Sequence, residues 1–61
     1  EISLTVLARL LKNKNKIVRH YAALILEEAG EDAETVLPEI RAARNDEYVN
    51  VRRVAERIVE G

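Results

Sequence analysis

The sequence predicts an all-α chain of four short helices, forming two stacked helical hairpins in a single domain over residues 1–61. One hairpin spans 1–30 and the other 31–61. Three observations lead there. Apolar residues recur at helical spacing in four successive segments. Two Gly and one Pro in 61 residues leave little room for turns or strands, which reads as mostly helix. The chain also matches itself at an offset of 33 residues, pairing Glu1 with Glu34, Leu4 with Leu37, Val18 with Val51, Arg19 with Arg52, Ala22 with Ala55, Ile25 with Ile58 and Glu27 with Glu60. Those seven identities in 28 pairs, where chance supplies about two, describe one hairpin used twice, each copy covering an apolar face of the other.

The first helix carries Leu4, Leu7, Ala8 and Leu11 on one stripe, with Ser3 placed to cap its start and Lys12 to Lys14 suited to its C-terminal dipole. Asn15 caps a second helix from about Lys16 to Ala29, and Gly30 stands where a left-handed residue ends it. Its stripe is Val18, Tyr21, Ala22, Ile25 and Ala29, widened by Ile17, Leu24 and Leu26 to more than half the circumference. Such a helix needs neighbours on more than one side, so it is the central one, with Tyr21 in the core. Pro38 has no N–H and fits only a first turn, so the third helix is capped by Thr35 and runs through Val36, Leu37, Ile40 and Ala43 to about Arg44. The fourth sets Val51, Val54, Ala55, Ile58 and Val59 against a charged face. The repeat predicts that Val18, Ala22 and Ile25, with Val51, Ala55 and Ile58, are buried between the helix layers.

At 6.9 kDa the chain has room for one small core. Without cysteine, disulfides, thiolate metal sites and a cysteine nucleophile are excluded. No apolar run approaches the roughly 18 residues that span a bilayer, which predicts a soluble, cytoplasmic protein away from membranes. An opening Glu1 in place of Met suggests a piece trimmed from a longer chain. Charge is unevenly spread. Arg9, Lys12, Lys14, Lys16 and Arg19 follow one another with no acid between them, and Glu27, Glu28, Glu31, Asp32 and Glu34 with no base between them.

Leu37-Pro38-Glu39-Ile40, the turn residues Asn13 and Asp46, the dipeptides Val18-Arg19 and Val51-Arg52, the alanines Ala22 and Ala55, and Gly30 together resemble the HEAT repeats, in their short form of about 30 residues related to the PBS-lyase type. The resemblance covers essentially the whole chain and implies a fragment of an α-solenoid that binds other proteins. It also implies a structural ladder in which Asn13 pairs with Arg19 and Asp46 with Arg52. Where the family has Asp-Pro at the start of the second helix, this chain has Tyr48 and Val49, which would let the fourth helix begin a turn earlier, from Asp46.

Catalysis finds no support. His20 has no second His and no Cys, so it reads as an exposed helix residue, and no cofactor or metal is expected. Ser3, Thr5, Thr35 and the tyrosines lack an adjacent base, and no Gly-rich phosphate loop exists. The chain reads as a non-catalytic protein–protein interaction or scaffold module. Its first helix leaves Ile2, Val6 and Leu10 outside the main stripe with no preceding hairpin to cover them, so a partner surface is expected at Val6 and Leu10, with homodimerisation the leading case. Lys12, Lys14 and Lys16 are candidate contacts, and Tyr48 is a further one. Nucleic acid is the second reading, because the basic turn from Lys12 to Arg19 could release counterions from phosphates.

Overall fold

A computed structural model describes residues 3–61, all of it helix and connecting turn with no strand among them. Helix α1 is Leu4–Leu10, α2 is Lys16–Ala29, α3 is Leu37–Ala43 and α4 is Val49–Glu60, and a 3₁₀ segment over Gly30–Val36 leads into α3. Helices α1 and α2 form the first hairpin, α3 and α4 the second. The stack is made mainly by α2 against α4, while the 3₁₀ segment packs on α1, α2 and α3.

Both intra-hairpin turns are built alike. Each first helix unwinds through 3₁₀-type bonds, with the Asn13 N–H donating to Leu10 O and the Asp46 N–H to Ala43 O, both at 3.1 Å. The turn residue then folds its side chain onto the amide two positions ahead: Asn13 Oδ1 accepts from Asn15 N–H and Asp46 Oδ1 from Tyr48 N–H, each at 2.8 Å. Asn15 Oδ1 caps α2 by accepting from Ile17 and Val18, whereas Tyr48 caps α4 without a side-chain bond. Helix α4 therefore begins at Val49 rather than at Asp46, because the Asp46 carboxylate is occupied in shaping the turn.

The junction between hairpins departs from expectation in two ways. Gly30 adopts φ 61° and ψ −129°, the geometry of the first central residue of a type II′ turn rather than left-handed helix. The chain then continues as 3₁₀ helix, whose three-residue repeat sets Ala33 and Val36 on one side, both buried. Helix α3 is consequently preceded by Val36, not Thr35, and Pro38 is its second residue, where no intrahelical donor is needed.

One cluster forms the core, with Leu7 from α1 and Leu11 from its C-terminal cap, Leu26 from α2, Ile40 from α3 and Val51 from α4. Leu26, Ile40 and Val51 are its largest fully buried side chains. The seam differs between the copies. Ala22, Val51 and Ala55 are buried and Val18 and Ile58 half-buried, but Ile25 is 45% exposed and Tyr21 62% exposed. Ala23 and Leu26 take the place expected of Ile25 and Tyr21. The cause is the direction from which α2 is covered. Arg19, Ala23 and Glu27 lie four residues apart on the side of α2 that meets the second hairpin, Arg19 through Asp46 and Glu27 through Arg57. Tyr21 and Ile25 sit two residues, about 200°, further round.

Candidate functional site

Arg19 ties the two hairpins together. Its Nε donates to Asp46 Oδ2 at 2.8 Å and its Nη2 to Asp46 Oδ1 at 3.1 Å, a two-pronged pairing across the stack. Its Nη1 donates to the carbonyls of Asn13 at 2.7 Å and Lys14 at 3.2 Å. Arg52 repeats only the last part, donating from Nη1 to Asp46 O at 2.8 Å and Glu47 O at 3.0 Å. Within each turn the arginine thus meets main-chain carbonyls, not the side chain of Asn13 or Asp46, and the carboxylate serves the neighbouring repeat. Side chains of Arg19 and Asp46 keep only 15% and 10% of their exposure. Burial pushes the Asp46 carboxyl upward, but the Arg19 guanidinium, the Tyr48 N–H and the positive charge of Arg19 and Arg52 outweigh it and hold the group below the ordinary carboxylate range. A second bridge, Arg57 to Glu27 at 2.8 Å, is more exposed; its hydrogen bonds lower Glu27 and raise Arg57.

These contacts reshape the basic turn. Arg19 is neutralised by Asp46, and Lys16 Nζ lies 5.0 Å above the Tyr48 ring. Lys12, Lys14 and Lys16 are exposed, yet they share one shallow depression with Asp46 and Glu47. The surface there is of mixed sign, a poor match for a phosphate backbone. Tyr48 is half-buried against the core, with its hydroxyl accepting from Asn50 Nδ2 at 2.9 Å, and His20, also half-buried, stands 6.0 Å from the rings of both Tyr21 and Tyr48. Among the described residues no group of three His, Cys, Asp or Glu is placed to hold a metal, and no helix is long and apolar enough to cross a membrane.

Of the strip expected on α1, Ile2 lies outside the described residues, Val6 is 39% exposed and Leu10 is half-buried against the core. The larger apolar surface is on α2, where Ile17, Tyr21 and Ile25 follow at four-residue spacing with exposures of 44%, 62% and 45%. Sequence periodicity alone places Tyr21 and Ile25 in the interior and Ile17 on the same widened stripe. The offset of 33 residues held the missed signal: Tyr21 corresponds to Val54, which is 2% exposed because the first hairpin covers that side of α4. Nothing among the described residues covers the same side of α2. Comparison with protein-family models, curated proteins and solved structures finds no match for this chain.

Proposed function

We propose that this chain is a non-catalytic protein–protein interaction module made of two HEAT-like hairpins, and that its contact surface is the outer side of α2. One observation carries the reading: Ile17, Tyr21 and Ile25 form an uninterrupted apolar row on the side of α2 turned away from the second hairpin. A tyrosine at its centre suits recognition, since it brings a large rigid contact area with a polar tip. The 33-residue repeat and its paired turns support the HEAT-like part of the proposal. Selection of a random peptide library against the chain, with the winners mapped by amide chemical shifts, tests it. Binders should shift residues 17–25 and lose affinity on Tyr21→Ala. Peptides that never map there, together with salt-dependent oligonucleotide binding at Lys12 and Lys14, would favour the nucleic-acid reading instead.

A further inference from the structure

The α2 row has a symmetry that identifies its occupant. We propose that it is covered by α2 of a second copy of this chain, running antiparallel about a two-fold axis that passes beside Tyr21; the inference rests on reading that row as the contact surface. Ile17 and Ile25 each stand four residues from Tyr21. A two-fold axis there lays Ile17 of one copy on Ile25 of the other, twice, with the tyrosines meeting at the centre. Glu28 stands two helical turns beyond Tyr21, and Lys14 stands in the turn just before α2, as many residues ahead of Tyr21; both are exposed. The same axis therefore brings opposite charges together at both ends of the row. Around them the same polarity holds, with Lys12 and Lys16 near one end of α2 and Glu31 and Asp32 beyond the other.

Alternative pairings of two copies fail on the same residues. A parallel arrangement sets lysine against lysine and glutamate against glutamate, which is repulsive. Head-to-tail stacking would press the apolar row onto the outer side of α4, where Glu56 occupies the position that Ala23 holds in α2. Ala23 is 1% exposed under the second hairpin and Glu56 is exposed. Covering Glu56 with Tyr21 and its neighbours would bury an unpaired carboxylate, at a cost that apolar contact does not offset. Only the antiparallel two-fold arrangement satisfies both the apolar centre and the charged ends, and closed two-fold dimers are the commonest symmetric assembly.

Sedimentation equilibrium over a range of concentrations tests the proposal, with circular dichroism as the folding control. The parent chain should approach twice 6.9 kDa, and Tyr21→Lys should sediment as a helical monomer. Lys14→Glu alone and Glu28→Lys alone should each weaken association about tenfold, because every single change alters two symmetry-related pairs. The double variant should return close to parent affinity, since each reversed pair is again opposite in sign. These exposed charge reversals leave the core untouched, so they decide the matter even if Tyr21→Lys fails to fold. A parent chain that stays monomeric overturns the dimer while leaving the peptide mapping on residues 17–25 to judge the interaction module separately. A dimer indifferent to Tyr21→Lys, or charge reversals without mutual rescue, overturns the antiparallel arrangement.

Discussion

Arg19 and Asp46 show how a modest polar pair can hold two repeats in register. Asp46 does three jobs at once: its carboxylate takes Arg19 with both oxygens and accepts from the Tyr48 N–H, and its main-chain carbonyl accepts from Arg52. Replacing it by Asn keeps the shape and the turn bond but removes the charge, so Asp46→Asn should cost about 2 to 3 kcal/mol in urea unfolding. The pH dependence follows from the same pairing. Because the folded-state pKa of Asp46 is depressed, the unfolded chain takes up its proton first as pH falls. The stabilisation is complete above the ordinary aspartate value and is lost as pH drops through the lower, folded one. Urea midpoints measured across the acid range should fall in the parent and fall less in Asp46→Asn, with a smaller residue of the same sign from Glu27. A parallel decline in both proteins would reject Asp46 as the titrating group. Arg19 was readable from the 33-residue repeat, and Asp46 as a ladder residue from the resemblance to HEAT repeats. Their wiring was not, because Asn13 and Arg19 are close in sequence and the carboxylate that reaches Arg19 belongs to the next copy.

Among the elements, the Gly30 junction and helix α2 are the ones where chain chemistry and surroundings compete. The φ of 61° with ψ of −129° at Gly30 is unfavourable for an L-residue, while a Cβ there would meet nothing within 4 Å. Strain and crowding can therefore be separated, in a chain short enough for chemical synthesis. Gly30→Ala should destabilise by about 1 to 2 kcal/mol, whereas D-alanine at the same position, for which this conformation is the favourable mirror image, should match or exceed the parent by up to about 1 kcal/mol. Equal losses for both, measured by denaturant unfolding, would show that space rather than backbone conformation decides. Gly30 was legible as a helix terminator because it alone interrupts the periodic pattern between α2 and Pro38. The 3₁₀ course of Gly30–Val36 was not legible, since Ala33 and Val36 satisfy either a loose turn or a helix start until α1 and α2 arrive to cover them.

Across the assembled fold, stability rests on a core that both hairpins share. Leu26 is fully buried in that core and Ile25, its neighbour in sequence, is nearly half exposed. Leu26→Ala should cost about 2 to 5 kcal/mol, comparable to the whole stability of an unstapled domain of this size, and so abolish the cooperative melt. Ile25→Ala should cost about 1 kcal/mol or less in dilute solution. Thermal scans of the two variants check the assignment, and amide exchange adds a sharper reading: with one shared core, Leu26→Ala should lose protection in α4 as well as in α2. A variant that melts only its first hairpin would mean that the two hairpins fold independently.

Residue order alone was sufficient for the helical character, the number and pairing of the helices, and the equivalence of Arg19 with Arg52 and of Ala22 with Ala55. Those properties depend on contacts within a few turns of helix or on a repeat visible by sliding the chain along itself. Which arc of α2 becomes interior could only be decided by packing. Apolar residues occupy more than half of that helix, so hydrophobicity favours burying Tyr21 and Ile25 as much as Ala23 and Leu26. The choice is made by where α1 and α4 lie. They close over Ala22, Ala23 and Leu26 and leave Ile17, Tyr21 and Ile25 in solvent, because a stack of two hairpins covers only one side of its first.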